Sequence, residues 1–331
     1  MPERFNPLET KYPIWNAGMG GGLAGPELVA SVSESGCFGV LGTGGLASES
    51  VGQLIKETRQ LTSRPFGANI ILPMSDGQDV AICFDEGVEV LVLFWGDPQP
   101  FIKDAHKRGI SLVIQCGNAE DAVYAASCGA DAIIIQGTEA GGHVKGELEL
   151  QSYISEIQHE LRDTPLIAAG GIDSGEKIAN LIKQGIRAVS LGTRFVASTE
   201  ARATTSYKEK IVSSSAGDTV LTKLYDMGWK NAKHRVIKTP LYKSWHQNGC
   251  LKAGDRTDEG ETIGQIELGP NRTMSVPKYS VFPPVSSFNG NENALPFYAG
   301  KSVDGIHKIE GTRTIVETLV RETKSHFERY K

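Results

Sequence analysis

From residue 12 to about residue 195 one unit repeats: a short apolar run, a glycine or small polar residue at its end, then a stretch with helical spacing. The apolar runs are 12–16, 38–42, 66–71, 90–94, 112–115, 132–136, 166–169 and 188–191. Runs this short, apolar throughout rather than alternating, read as strands buried on both faces of a parallel sheet. Helices are predicted between them over 26–35, 48–60, 78–86, 98–108, 119–128, 150–161 and 175–184. Pro26 suits a first turn, Ser48 reads as a cap, and Asp173 or Ser174 caps the last of these helices. Eight strands alternating with seven helices predict the α/β class and, within it, a closed (β/α)8 TIM barrel. The eighth helix is expected from Thr312 to Tyr330, where Ile315, Leu319 and Val320 share a face. An open doubly wound sheet fits less well, because the turn after the first strand lacks G-x-G-x-x-G spacing with an acidic partner.

Residues 206–311 break the rhythm. Pro, Asn and Gly crowd 239–300, and Asp255-Arg-Thr-Asp-Glu-Gly-Glu261 reads as a solvated charged loop. Tyr225, Trp229, Tyr242, Trp245, Tyr279, Phe282 and Phe288 are interleaved through the segment. This reads as a loop-rich helical cap inserted into the barrel. The expected division is 1–205 plus 312–331 for the barrel and 206–311 for a cap and substrate subdomain.

A formal net charge of -5 leaves no basic footprint for nucleic acid or an anionic membrane. No apolar run approaches the roughly 18 residues of a membrane span. Cys37, Cys83, Cys116, Cys128 and Cys250 are odd in number and scattered, with no CxxC pair. That opposes a disulfide framework or a zinc site and fits a reducing cytosol. The residues after Met1 show no basic region followed by an apolar one, so no signal peptide is expected. The expectation is a soluble cytoplasmic protein.

Barrels of this kind carry their chemistry at the C-terminal ends of the strands. Here those ends are Ala17-Gly-Met19, Thr43, Asn69, Trp95, Gln115, the stretch Gln136-Gly-Thr-Glu-Ala-Gly-Gly-His143, Gly170-Gly171 and Gly192-Thr193. They offer bare backbone and neutral hydrogen-bonding groups, without the carboxylate pair of a glycosidase or a metal-ligand cluster. Gly141-Gly142 leaves backbone able to lie flat against a large ligand, with the His143 imidazole beside it. Glu139 and His143 are spaced like two zinc ligands, but the glycines between them oppose a helix and no metal is expected. Gly170-Gly-Ile-Asp-Ser-Gly175 and Gly192-Thr193 supply N–H groups and helix starts, the phosphate cradle of this architecture. Asn69, Gln115 and Gln136 are then placed to hydrogen-bond a flat heterocycle resting on Gly141-Gly142. A phosphate at one end and a planar ring at the barrel mouth describe flavin mononucleotide (FMN). His106, His159, His234, His246, His307 and His326 lack partner spacing and read as structural or solvated.

Ala17-Gly-Met-Gly-Gly, Gly67-Ala-Asn69, Gln136-Gly-x-Glu-Ala-Gly-Gly-His143, Ala168-Ala-Gly-Gly-Ile172 and Leu191-Gly-Thr-Arg-Phe195 occur in this order. Together they resemble the nitronate monooxygenase family, formerly called 2-nitropropane dioxygenases, over roughly residues 12–210. The resemblance implies a barrel with noncovalently bound FMN under an inserted cap. Its cofactor contacts would fall on Ala17, Gly18, Met19, Asn69, Gln115, Gln136, Gly141, Gly142, Gly170, Gly171, Ser190, Leu191, Gly192 and Thr193. It also implies His143 as the catalytic group beside the flavin. The implied reaction takes a small anionic nitronate, or its parent nitroalkane, with O2 to a carbonyl compound and nitrite by way of a flavin semiquinone. His143 would accept the α-proton of a nitroalkane or donate a hydrogen bond to a nitronate oxygen. A homodimer is left open. The same superfamily holds enoyl-ACP reductases and NAD(P)H:quinone reductases with most of these motifs, so an NAD(P)H-dependent FMN reductase is the alternative. A non-redox barrel holding a phosphorylated metabolite would leave His143 without a task.

Overall fold

The computed structural model describes residues 4–328 apart from 76, 162, 270 and 271. Its first nine strands are β1 (Ile14–Asn16), β2 (Gly39–Gly42), β3 (Phe66–Ile71), β4 (Val90–Phe94), β5 (Ser111–Cys116), β6 (Ala132–Gln136), β7 (Gly142–His143), β8 (Leu166–Ala169) and β9 (Ala188–Leu191). All but β7 form one eight-stranded sheet in the order β1-β9-β8-β6-β5-β4-β3-β2, with every neighbouring pair parallel. The two edges meet where Trp15 bridges Phe38. The Asn16 side chain straps this seam: its Nδ2 donates to Val40 O at 2.7 Å and its Oδ1 accepts from Val40 N–H at 3.0 Å. A buried amide satisfied on both sides of a seam stabilises closure, and the sheet is the expected (β/α)8 barrel.

Strand alternation divides the core. Val90 and Val92 join Trp15, Phe38 and Ile134 inside the barrel, whereas Leu91 and Leu93 join the larger cluster shared with the helices. Seven of those helices follow the strands: Pro26–Glu34, Ser48–Leu61, Gln78–Asp85, Gln99–Lys107, Ala119–Ser127, Leu150–Ile157 and Gly175–Lys183. Ser174, rather than Asp173, caps the last by accepting the Lys177 N–H. Ser48 does not cap its helix. The extended residue there is Ala47, and the Ser48 hydroxyl instead reaches Asp79 Oδ1 on the next helix. The eighth place in the ring is taken by Thr312–Glu328, which buries Ile315, Val316 and Leu319 against the helices 175–183 and 26–34. The last residues of that expected helix, including Tyr330, lie outside the described residues.

Between β9 and this helix the expected helical subdomain gives way to two small antiparallel sheets. β10 (Thr219–Thr222) pairs with β11 (His234–Ile237), and β11 pairs in turn with β7. β12 (Thr262–Gly269) lies between β13 (Arg272–Pro277) and β14 (Phe288–Gly290). Two helices of eight residues, Thr205–Val212 and Pro240–Gln247, accompany them. The strands form because apolar and polar residues alternate: Ile266 is buried between exposed Gln265 and Glu267. No helix among the described residues is long and apolar enough to cross a membrane.

Candidate active site

Two adjoining cavities lie at the C-terminal ends of the barrel strands. Ala17, Gln115, Gln136, Gly141, Gly192 and Thr193 wall both. Gly18, Met19, Asn69, Gly142 and His143 border only the larger, which encloses about 940 Å³ counted to its open mouth. Gly170, Gly171, Ser190 and Leu191 border the smaller. Every site residue expected from the sequence therefore borders one cavity or the other.

The strand ends are locked in place by their own backbone. Thr43 Oγ1 donates to Asn69 O at 2.6 Å, and Asn69 Nδ2 donates to Val92 O at 3.2 Å. Gly18 presses on Asn69 so closely that a Cβ there would fall 2.2 Å from the Asn69 Cβ. The 136–143 loop folds onto itself where Gln136 Nε2 donates to His143 O at 3.1 Å. The Glu139 carboxylate accepts the Leu150 N–H at 3.0 Å and so caps the helix that starts there. At Gly141 the returning cap chain passes so near that a Cβ would sit 2.5 Å from Gly300 N. That chain ties two barrel loops together, with Gly300 N–H donating to Thr193 Oγ1 at 3.0 Å and Lys301 N–H to Glu139 O at 2.9 Å.

His143 sits where barrel and cap join. In β7 it stands opposite His234, and Gly142 opposite Arg235. Its ring stacks on Trp229 with centroids 4.3 Å apart, and His234 and Tyr298 stand at 5.2 and 5.5 Å. Trp95, whose backbone has φ 52, sets its ring edgewise against Trp229 at 4.3 Å. The buried His143 Nε2 and Gln136 Oε1 have no hydrogen-bond partner among the described residues. Loss of hydration drives the His143 pKa well below the usual imidazole value, and the neighbouring His234 pushes the same way. His234 itself is pushed down to about 4 by burial, against a smaller opposing effect of its bond to Ala232. Its Nδ1–H donates to Ala232 O at 2.9 Å while Nε2 accepts from Tyr225 N–H, which fixes one neutral tautomer. His143 is thus held neutral, as a proton acceptor or a neutral hydrogen-bond donor.

The cap supplies a wall that sequence reasoning did not single out: Trp229, Val281, Phe282, Pro283, Tyr298 and Tyr207. The Tyr207 hydroxyl donates to Tyr298 O and the Tyr298 hydroxyl to Val281 O, so both hydroxyls are engaged with backbone. Among the described residues no charged side chain lines the larger cavity. Buried Arg235 grips the 136–143 loop from behind, donating twice to Thr138 O at 3.0 and 2.9 Å. The aromatic interleaving of the cap was visible in the sequence, but its spacing could not rank Trp229 above Trp245. His234, one of six histidines read as structural or solvated, is fully buried against His143.

Comparison with known proteins agrees with this geometry. The family model described as nitronate monooxygenase matches residues 3–322. The chain is 31% identical over 246 residues to a (3aS,4S,5R,7aS)-5-hydroxy-7a-methyl-1-oxo-octahydro-1H-indene-4-carboxyl-CoA dehydrogenase of Rhodococcus jostii, covering 73% of this chain and 67% of that one. It is 30% identical over 261 residues to a probable nitronate monooxygenase of Staphylococcus saprophyticus, covering 65% of this chain and 73% of that one. The solved structure of FabK from Thermotoga maritima superposes with a TM-score of 0.77 at 29% identity, covering 98% of this chain and 96% of that one. The chain belongs to the nitronate monooxygenase family.

Proposed function

We propose that this oxidoreductase is an FMN-dependent nitronate monooxygenase of the cytoplasm, oxidising alkyl nitronates or nitroalkanes with O2 to carbonyl compounds and nitrite. The observation that carries the reading is the meeting, at one uncharged cavity, of bare strand-end backbone with two orphaned polar atoms, Gln136 Oε1 and His143 Nε2. Buried polar atoms are rarely left unpaired, and these two call for a ligand with a hydrogen-bonding edge. The residues fit a flavin. Ala17, Gly18, Met19, Asn69, Gln115, Gln136, Gly141 and Gly142 border the wider cavity, suited to a flat ring. Gly170, Gly171, Ser190, Leu191, Gly192 and Thr193 border the narrower one, suited to a phosphate held by backbone N–H groups. When bound, FMN supplies the electron acceptor for substrate oxidation and the route of those electrons to O2.

The chain's own residues do the rest. Neutral His143 accepts the α-proton of a nitroalkane, or donates its N–H to an oxygen of a nitronate that arrives already ionised. Residues 206–311 act as a substrate cap over the barrel of 1–205 and 312–331. Their apolar wall of Trp229, Val281, Phe282 and Pro283 excludes water and packs against the alkyl group. Oxygen uptake with stoichiometric nitrite release from propane 1-nitronate tests the proposal, and a flavoprotein giving neither would contradict it.

The uncharged cavity also favours a second reading, an NAD(P)H-dependent FMN reductase acting on quinones or enoyl thioesters. An apolar wall suits such neutral acceptors, and one relative is named for a CoA ester. Anaerobic bleaching by NAD(P)H, without nitronate oxidation, would select it.

A further inference from the structure

Two cap segments wall the cavity beside His143, and one buried cation touches both. The first is the turn from Asp226 to Trp229, closed by the Trp229 N–H donating to Asp226 O at 3.1 Å. The second starts at Tyr279 and runs into Val281, Phe282 and Pro283 of the wall. They are bonded to each other: Met227 N–H donates to Tyr279 O at 3.1 Å and Val281 N–H to Met227 O at 3.0 Å. Behind them Arg256, in the loop expected to be solvated, is only 6% exposed, because its guanidinium is taken up by partners inside the cap. Its Nη2 meets Asp226 Oδ1 at 2.8 Å and Glu259 Oε1 at 2.7 Å. Its Nη1 donates to Leu224 O at 2.7 Å, and the guanidinium stands 4.3 Å from the centroid of the Tyr279 ring. One planar cation therefore holds the carboxylate that heads one wall segment and the aromatic ring that heads the other.

His143 needs such a backing. Among the described residues no hydrogen bond holds its ring, whereas a catalytic imidazole is ordinarily oriented through its second nitrogen. Here the ring is oriented by packing, chiefly on Trp229. We infer that Arg256 is a positioning residue of the active site, which clamps Asp226 and Tyr279 and so fixes the Trp229 face on which His143 stacks. The inference rests on the reading of His143 as the catalytic group.

Asp226 and Glu259 pair with the same guanidinium, so truncating either leaves Arg256 with a carboxylate. Only Asp226 heads the Trp229 turn. Asp226→Ala is expected to lower kcat/KM for 1-nitropropane, the nitroalkane whose α-proton His143 accepts, roughly ten- to a hundred-fold, mostly in kcat. It should also change the near-UV circular dichroism of the Trp95–Trp229 edge pair while FMN content stays that of the parent. Glu259→Ala is expected to stay within about two-fold of the parent: Glu259 accepts from both Nε and Nη2 of Arg256 but belongs to neither wall segment, and Asp226 still holds the guanidinium. Should Asp226→Ala not fold, Asp226→Asn keeps an acceptor without the charge, and the same ordering with a smaller effect is expected. Equal losses in the two truncations overturn the inference. A silent Asp226→Ala alongside a dead His143→Asn overturns it too, and leaves the catalytic reading standing. If His143→Asn is fully active, the catalytic reading fails and the positioning role falls with it.

Discussion

The two walls of the cavity are built from opposite materials. The barrel wall is backbone and neutral amide, with chain crossings as tight as Gly18 on Asn69 and Gly141 on Gly300. The cap wall is aromatic and aliphatic bulk, in Trp229, Val281, Phe282, Pro283 and Tyr298. A wall of close approaches has no room for added atoms, because its neighbours are backbone at Gly141 and, at Gly18, an Asn69 side chain pinned to Val92 O. A wall of side chains can change shape without moving the chain. The barrel side is therefore suited to one constant partner and the cap side to a variable one, which is the division between a cofactor and its substrates. His143 and His234 form the seam, one from each side.

The largest expected effect lies at that seam. His143→Asn should keep FMN and lower nitroalkane turnover by about 10²- to 10⁴-fold, the usual worth of a positioned base. Nitronate turnover, which needs no proton removed, should fall much less. Equal losses on both substrates would remove the base assignment.

The seam also predicts an acid-sensitive fold. Both imidazoles are held neutral in the native protein, while the unfolded chain protonates them near their ordinary value of 6.5. Between there and about 4, where His234 titrates when folded, the unfolded state binds more protons. Stability is thus fully present above the unfolded value and is lost as pH falls toward the folded one. The loss approaches about 1.4 kcal/mol per pH unit for each histidine. Urea midpoints measured from pH 7 downward check this, and a flat profile to about pH 5 would contradict it.

Smaller effects separate the two walls. Gly141→Ala places a Cβ 2.5 Å from Gly300 N and 2.6 Å from Ala299 C. It should cost about 1–3 kcal/mol by overpacking and weaken FMN retention, both read from denaturant unfolding and flavin content. Phe282→Ala on the cap wall should leave FMN content unchanged. It should instead shift preference toward longer alkyl nitronates, by about 1 kcal/mol or several-fold in relative kcat/KM. If Phe282→Ala released flavin and Gly141→Ala did not, the assignment of the walls would be reversed.

The same contrast governs how much the sequence reveals. Buried parallel strands carry a local signature, so runs such as Val90–Phe94 and Leu166–Ala169 are legible by themselves. Their ends then name the barrel wall, because the architecture puts chemistry there. The cap is held by pairings between distant segments, above all β7 with β11. Nothing local in His234-Arg-Val-Ile237 announces that its partner is the glycine-rich stretch ending in His143. A helical cap was expected where two antiparallel sheets formed, since the alternation in runs as short as Thr219–Thr222 and Phe288–Gly290 is too brief to stand out among the surrounding Gly, Asn and Pro. Ser48 misled for a related reason: its partner Asp79 belongs to the next helix, and a cap signal reads only the residues beside it.

The most direct test is an anaerobic titration of the purified protein with propane 1-nitronate, followed in the visible spectrum. The expected result is a yellow protein whose flavin bands change as nitronate is added. Flavin bands that ignore nitronate but bleach with NAD(P)H would contradict the monooxygenase and select the reductase, and a colourless protein that takes up no FMN would contradict both.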